Sequence, residues 1–118
     1  MSPRNWKFRL EDISEALGLI EEYIQDFDYS SWEKDRKTID AVIRNLEIIG
    51  EAANHIPDSI QEKYPEIPWY QMKGMRNVLA HEYFGVDIDV LWRTANEDLP
   101  RLKIQIHKLI SEVQRLYP

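Results

Sequence analysis

This sequence predicts an all-α fold, an up-and-down helical bundle with four long helices and one short extra helix, in a single domain over residues 1–118. Two observations carry the prediction. Apolar residues recur at alternating steps of three and four along three extended segments, which places each set on one stripe of a helix. Val, Ile and Thr nowhere alternate with polar residues over the length of a strand, so no sheet is needed. A third observation sets the domain count: no linker, internal repeat or low-complexity tract interrupts a length that suits one modest core.

The first stripe is Leu10, Ile13, Leu17, Ile20, Ile24 and Phe27, and the second is Ile39, Val42, Leu46, Ile49, Ala53 and Ile56. Alternating steps of this kind favour shallow crossing angles. Ile56-Pro57-Asp58 ends the second helix, and Asp58 is suited to cap a short helix that Tyr64-Pro65 closes. Pro68 fits the first turn of the next helix, where its missing N–H costs nothing. That helix runs through Gly74 and Arg76 towards His81, and Gly85 can end it. Asp87 caps the last helix, whose stripe is Ile88, Trp92, Ala95, Leu99, Leu102, Ile106, Leu109, Val113 and Leu116. Pro100 lies inside it and predicts a kink near Asn96 to Leu99.

Composition excludes several function classes. No apolar run approaches the ~20 residues of a membrane span, and the N-terminus lacks a signal-peptide apolar region. The absence of cysteine removes disulfides and thiolate metal sites and suits a cytoplasmic protein. The three histidines, His55, His81 and His107, are too scattered to suggest zinc. A net charge of −6 argues against a broad basic face for nucleic acid, so any such role is short-range and site-based or shared with a second subunit. Lys34, Arg36, Lys37 and Arg44 interleave with Glu33, Asp35 and Asp40, as on a solvated face. Glu47 and Glu51 form a carboxylate stripe without the Glu-x-x-His that a carboxylate metal site would add.

Chemistry concentrates in Met75-Arg76-Asn77-Val78-Leu79-Ala80-His81-Glu82-Tyr83-Phe84-Gly85. The guanidinium of Arg76 binds a phosphate through a planar fork and stays charged. His81 titrates near neutrality and can act as general base or acid. These groups suffice for RNA cleavage without a metal, in which a 2′-hydroxyl attacks the adjacent phosphorus. Asn77 can orient the imidazole or the phosphate. On a straight helix His81 lies about 140° round from Arg76, whereas Tyr83 returns to within about 20° of it. Either the helix unwinds before Gly85 and swings His81 inward, or the site is composed across a dimer.

A structural reading of the same residues stands beside this one. Arg76 can pair with a bundle carboxylate such as Glu47 or Glu51, and His81 can sit at a helix C-terminus where a cation is favoured. Arg101 to His107 holds an arginine and a histidine at similar separation and reads as solvated surface flanking the stripe of Leu102, Ile106 and Leu109. Trp69, Tyr70 and Trp92 read as core or interface aromatics rather than base-stacking platforms. With Met72, Trp69 and Tyr70 are candidate anchors of a homodimer contact beside the motif.

The string from Met75 to Phe84 resembles the Arg-x4-His-x-Tyr signature of HepT-like proteins in the HEPN superfamily. Arg44 to Ala52, Pro68-Trp69, Val86-Asp87 and Leu91-Trp92 resemble the family over nearly the whole chain. The resemblance implies a HEPN-like four-helix core and a homodimer whose two motifs face each other across a cleft. It implies a metal-independent endoribonuclease, acting on tRNA or mRNA with no cofactor, as the toxin of a toxin–antitoxin pair. In such pairs an MntA-like minimal nucleotidyltransferase silences the toxin by transferring AMP to the motif tyrosine. Carried onto this chain, Arg76 and His81 are the catalytic pair, Asn77 the polar residue beside them and Tyr83 the modification target. The alternative is a non-catalytic nucleotide-binding or regulatory dimerisation module that its partner AMPylates.

Overall fold

The structure, a computed structural model, describes residues 5–81 and 87–117, with backbone alone at 75 and 77–81. Four long helices carry the core: α1 (Trp6–Ile24), α3 (Arg36–Asn54), α5 (Trp69–His81) and α7 (Leu99–Leu116). Short helices α2 (Tyr29–Trp32), α4 (Asp58–Lys63) and α6 (Ile88–Arg93) fill the connections. Helix α1 packs on α3 and α7, and α3 packs in turn on α5. The predicted all-α bundle is therefore the observed one, with three short helices where one was expected and no strand among the described residues.

The stripes read from the sequence are the core. Leu10, Ile13, Leu17, Ile20 and Ile24 of α1 meet Ile39, Val42, Leu46, Ile49 and Ala53 of α3, all buried, and Leu99, Leu102, Ile106, Leu109 and Val113 of α7 close over them. Phe27 and Trp92 are only partly buried, and Leu116 at the last turn is exposed. Caps start the helices as local chemistry dictates. The Asn5 side chain accepts from Lys7 N–H at 2.9 Å, Asp35 from Thr38 N–H at 3.0 Å and Asp87 from Asp89 N–H at 2.8 Å.

Local details depart from the sequence reading. Helix α2 is too short to show a period. It forms because Asp28 and Ser31 make a reciprocal capping box, with Ser31 N–H to Asp28 Oδ1 at 2.8 Å and Asp28 N–H to Ser31 Oγ at 3.1 Å. Pro57, not Asp58, takes the cap position of α4, and Asp58 lies in the first turn, where the positive end of the helix dipole favours its charge. Pro68 sits at the cap of α5, its carbonyl accepting from Met72 N–H at 3.0 Å. Pro100 has no N–H to continue the ladder, and the chain absorbs this as a π-helical turn over Thr94–Asp98. Leu99 N–H reaches back to the Thr94 carbonyl, and the Asn96 amide donates to the Trp92 carbonyl at 2.8 Å. Trp32, wholly buried, ties this end together. Its indole N–H donates to Ile88 O at 3.1 Å, and its ring lies 5.4 Å from that of Trp92.

Among the described residues no helix is long and apolar enough to cross a membrane.

Candidate functional site

The motif helix α5 is pressed against α3 at one point. A Cβ built on the buried Gly50 of α3 meets Arg76 Cβ at 2.5 Å, the Met72 carbonyl at 2.9 Å and Arg76 N at 3.0 Å. Only a residue without a side chain lets the two backbones come this close. The stem of Arg76 is thereby fixed over α3, and its guanidinium emerges beside the next residue of α3, Glu51.

There it enters a groove of about 430 Å³ lined by Arg9 and Asp12 from α1, by Arg44, Glu47 and Glu51 from α3, and by Arg76 itself. Ile48 and Ala52 also line it. The charges of those side chains balance, unlike the acidic chain as a whole. Arg44 pairs loosely with Glu47 at 3.7 Å. Arg9 Nε is buried and has no hydrogen-bond partner among the described residues.

Glu51 is the hub of the groove. Its Oε2 lies 2.5 Å from Arg76 Nε, and its Oε1 lies 3.1 Å from His55 Nε2, one helical turn further along α3. The two side chains of the Arg76 pair are 44% and 42% exposed, so solvent reaches both. The hydrogen bond from His55, with the positive charges of Arg76, His55 and Arg9, holds the Glu51 carboxyl below its usual range, against a smaller opposing effect of burial.

Of the residues picked from the sequence, Arg76 lies in this groove and makes the bundle pair expected of it, with Glu51 rather than Glu47. Asn77 and His81 lie on α5, but their side chains are outside the described residues, as are Tyr83 and Gly85 altogether. The helix continues through His81. The Cα positions of Arg76 and His81 are thus separated by about 140° around one regular helix. The stretch before Gly85 in which unwinding is considered above lies, beyond His81, outside the described residues.

Two expected dimer anchors are corrected. Trp69 and Met72 are buried in the bundle's own core, and Trp69 spends its indole N–H on Tyr64 O at 3.0 Å. Tyr70 alone of the three is free on the surface, at 85% exposure. Arg101 and His107, the second arginine–histidine pair, are exposed on α7, with His107 Nε2 3.1 Å from Ser14 Oγ. Arg36 pairs with Asp40 at 3.0 Å on the solvated face predicted for that run. Among the described residues no three His, Asp or Glu side chains converge as a metal site requires.

Sequence reasoning missed Gly50 and His55. Gly50 gave no signal beyond being a glycine inside a helical pattern, which often marks close backbone approach. His55 stood four residues after Glu51, a spacing that brings side chains together on a helix.

Comparison with known proteins places the chain in a family. Residues 13–109 match the family described as ribonuclease HepT-like. A protein of Thermococcus cleftensis named "Probable ribonuclease HepT" is 51% identical over 106 residues, covering 90% of this chain and 96% of that one. A Methanocaldococcus jannaschii protein is 42% identical over 106 residues, covering 90% of this chain and 97% of its own. A Caldanaerobacter subterraneus protein is 34% identical over 103 residues, covering 87% and 92%. Both of the latter carry the name "Putative RNase". No solved structure matches the chain significantly. With a family match over most of its length and relatives that align nearly end to end, the chain belongs to the HepT-like ribonuclease family.

Proposed function

We propose that this protein is a metal-independent endoribonuclease, the toxin of a toxin–antitoxin pair, and that its active site is composed across a homodimer. The observation that carries the reading is the Arg76–His81 spacing on helix α5 in a chain whose family is named for ribonuclease activity. Tyr83 completes the signature in sequence. In this mechanism a 2′-hydroxyl gives its proton to the His81 imidazole and attacks the adjacent phosphorus. The bond from phosphorus to the 5′-oxygen breaks, and that oxygen takes a proton from the imidazolium of the partner subunit's His81. Arg76 offsets the charge that develops on the phosphoryl oxygens, and Asn77 orients the phosphate or the imidazole. A helix that stays regular to His81 keeps Arg76 and His81 on different faces. Two copies related by a twofold axis bring both residue types to one phosphate, which is the argument for the dimer.

Silencing in this reading comes from an MntA-like minimal nucleotidyltransferase. The Tyr83 hydroxyl attacks the α-phosphorus of ATP, pyrophosphate leaves, and the phenol proton passes to solvent. The resulting phosphodiester adds a negative charge in the space that the RNA phosphate needs.

A second reading has an observation in its favour. Arg76 is engaged by Glu51 within one chain, as in a non-catalytic nucleotide-binding or dimerisation module whose arginine is structural. One experiment separates the two. Purified protein is incubated with total tRNA in EDTA beside His81→Ala. Cleavage by the wild type and not by the variant supports the nuclease, and intact tRNA in both lanes refutes it.

A further inference from the structure

The pair that favours a structural arginine takes on a different meaning once its geometry is followed. A guanidinium presents its N–H groups along two usable edges, one formed by Nε with one Nη and the other by the two Nη groups. Glu51 Oε2 takes Nε, at 2.5 Å. Glu51 is not loose in this role, because its other oxygen is tied to His55 Nε2 at 3.1 Å. The arginine is not loose either. Gly50 brings α3 against Arg76 N and Cβ, so the root of the side chain is seated on α3. Exposed ion pairs contribute little to stability, typically below about 1 kcal/mol. A pair more than 40% exposed on both sides is therefore a poor reason by itself for α3 to reserve a glycine and a bridged carboxylate for one side chain.

We infer that Glu51 is the positioning residue of Arg76, its carboxylate braced by His55 and holding the Nε edge of the guanidinium so that the Nη edge is presented to an RNA phosphate in the groove. The inference rests on the ribonuclease reading and deepens it by giving the motif arginine a partner outside the motif. Glu51 touches no reacting atom and acts through Arg76. Aligning the arginine before substrate arrives removes an ordering cost from the transition state, which is where a fork held at fixed angle counts most. The nearby Arg9, which also helps keep Glu51 ionised, and Arg44 with Glu47 complete the charged frame around the pair.

The test uses full-length protein and three variants. Glu51→Gln keeps the shape and removes the charge, Glu51→Asp keeps the charge and shortens the reach, and Glu21→Gln is the control. Glu21 pairs with Lys103 at 3.1 Å, outside the groove, and carries no role in the site. The first readout is the arginine Nε–H resonance by 15N NMR, assigned to Arg76 by its loss in Arg76→Lys. Exchange of that proton with water is expected to be slow in the wild type and in Glu21→Gln, and faster by about tenfold in Glu51→Gln, where a charge-assisted bond becomes a neutral one. The second readout is cleavage of an RNA oligonucleotide. In Glu51→Gln kcat is expected to fall about ten- to hundredfold with little change in KM, and Glu51→Asp to recover part of the loss. Exchange of the Arg76 proton that does not respond to Glu51→Gln overturns the inference. So does an unchanged kcat, and so does faster cleavage, which would mean that Glu51 masks the arginine. If the wild type cuts no RNA, the ribonuclease reading fails. The NMR arm then still decides whether Glu51 holds Arg76.

Discussion

Gly50→Ala adds one methyl group at the point where α3 and α5 are closest. The new Cβ is 2.5 Å from Arg76 Cβ, 2.9 Å from Met72 O and 3.0 Å from Arg76 N. All three are backbone or the first side-chain carbon, so none can swing aside. Ordinary contact between carbons is about 3.5–4.0 Å, and α5 must therefore retreat by roughly 1 Å. Alanine is favoured over glycine inside a helix by about 1 kcal/mol, whereas overpacking a filled contact costs about 1–3 kcal/mol. The net expectation is a loss of up to about 2 kcal/mol, or several degrees in Tm for a domain of this size. Gly18→Ala is the internal reference. It makes the same substitution in mid-helix α1, where an added Cβ meets nothing within 4 Å, and should gain up to about 1 kcal/mol. Urea unfolding followed by far-ultraviolet circular dichroism measures both. Displacing the root of Arg76 by this distance should also lower RNA cleavage about tenfold or more. If Gly50→Ala is stabilised as much as Gly18→Ala, the close approach of α3 and α5 is not real and the reasoning that seats Arg76 over Gly50 fails.

Four further outcomes are expected. Arg76→Lys should lose most cleavage, about a hundredfold, because a point charge does not replace a planar fork; initial rates on tRNA measure this. Tyr83→Phe should remain an active nuclease and gain no AMP from ATP and the partner transferase, and an undiminished AMP mass addition would place the modification elsewhere. Asp87→Ala removes the acceptor of Asp89 N–H at the start of α6 and should cost about 1 kcal/mol in urea unfolding. Finally, the folded-state pKa of Glu51 is lowered from 4.5, so its contribution to stability is present above that value and is lost as pH falls through the folded value. The small stability deficit of Glu51→Gln against wild type at pH 7 should therefore shrink as pH falls below 4.5 and vanish once it is below the folded value. A deficit that persists in acid would show that the loss is one of packing, not charge.

The bundle was legible because its signal is long and redundant. Ile39, Val42, Leu46, Ile49, Ala53 and Ile56 all point to one helix stripe, and no single misreading among them changes the answer. The same holds for the α7 stripe from Leu99 to Val113. Single-residue events were less secure. Helix α2 has too few residues for a period and depends on one Asp–Ser exchange of hydrogen bonds. The expected kink at Pro100 appeared as a π-helical turn on its N-terminal side, because the missing N–H can be met by widening the preceding turn as well as by bending. Met72 reads as an interface anchor and Trp69 as either a core or an interface residue, because a large apolar residue beside a motif looks the same whether it faces a partner or the core.

By itself the sequence determined the long helices, their buried faces and the residues of the motif, since periodicity and caps are properties of neighbours along the chain. It placed Arg76, Asn77, His81 and Tyr83 near one another in number and offered Glu47 and Glu51 equally as partners for the arginine. Only the tertiary structure decided between those carboxylates. The choice depends on the axial register of α5 on α3, and that register is set where Gly50 lets Arg76 sit down against the neighbouring helix. No pattern within either helix encodes it, because contact between two backbones is a property of the pair.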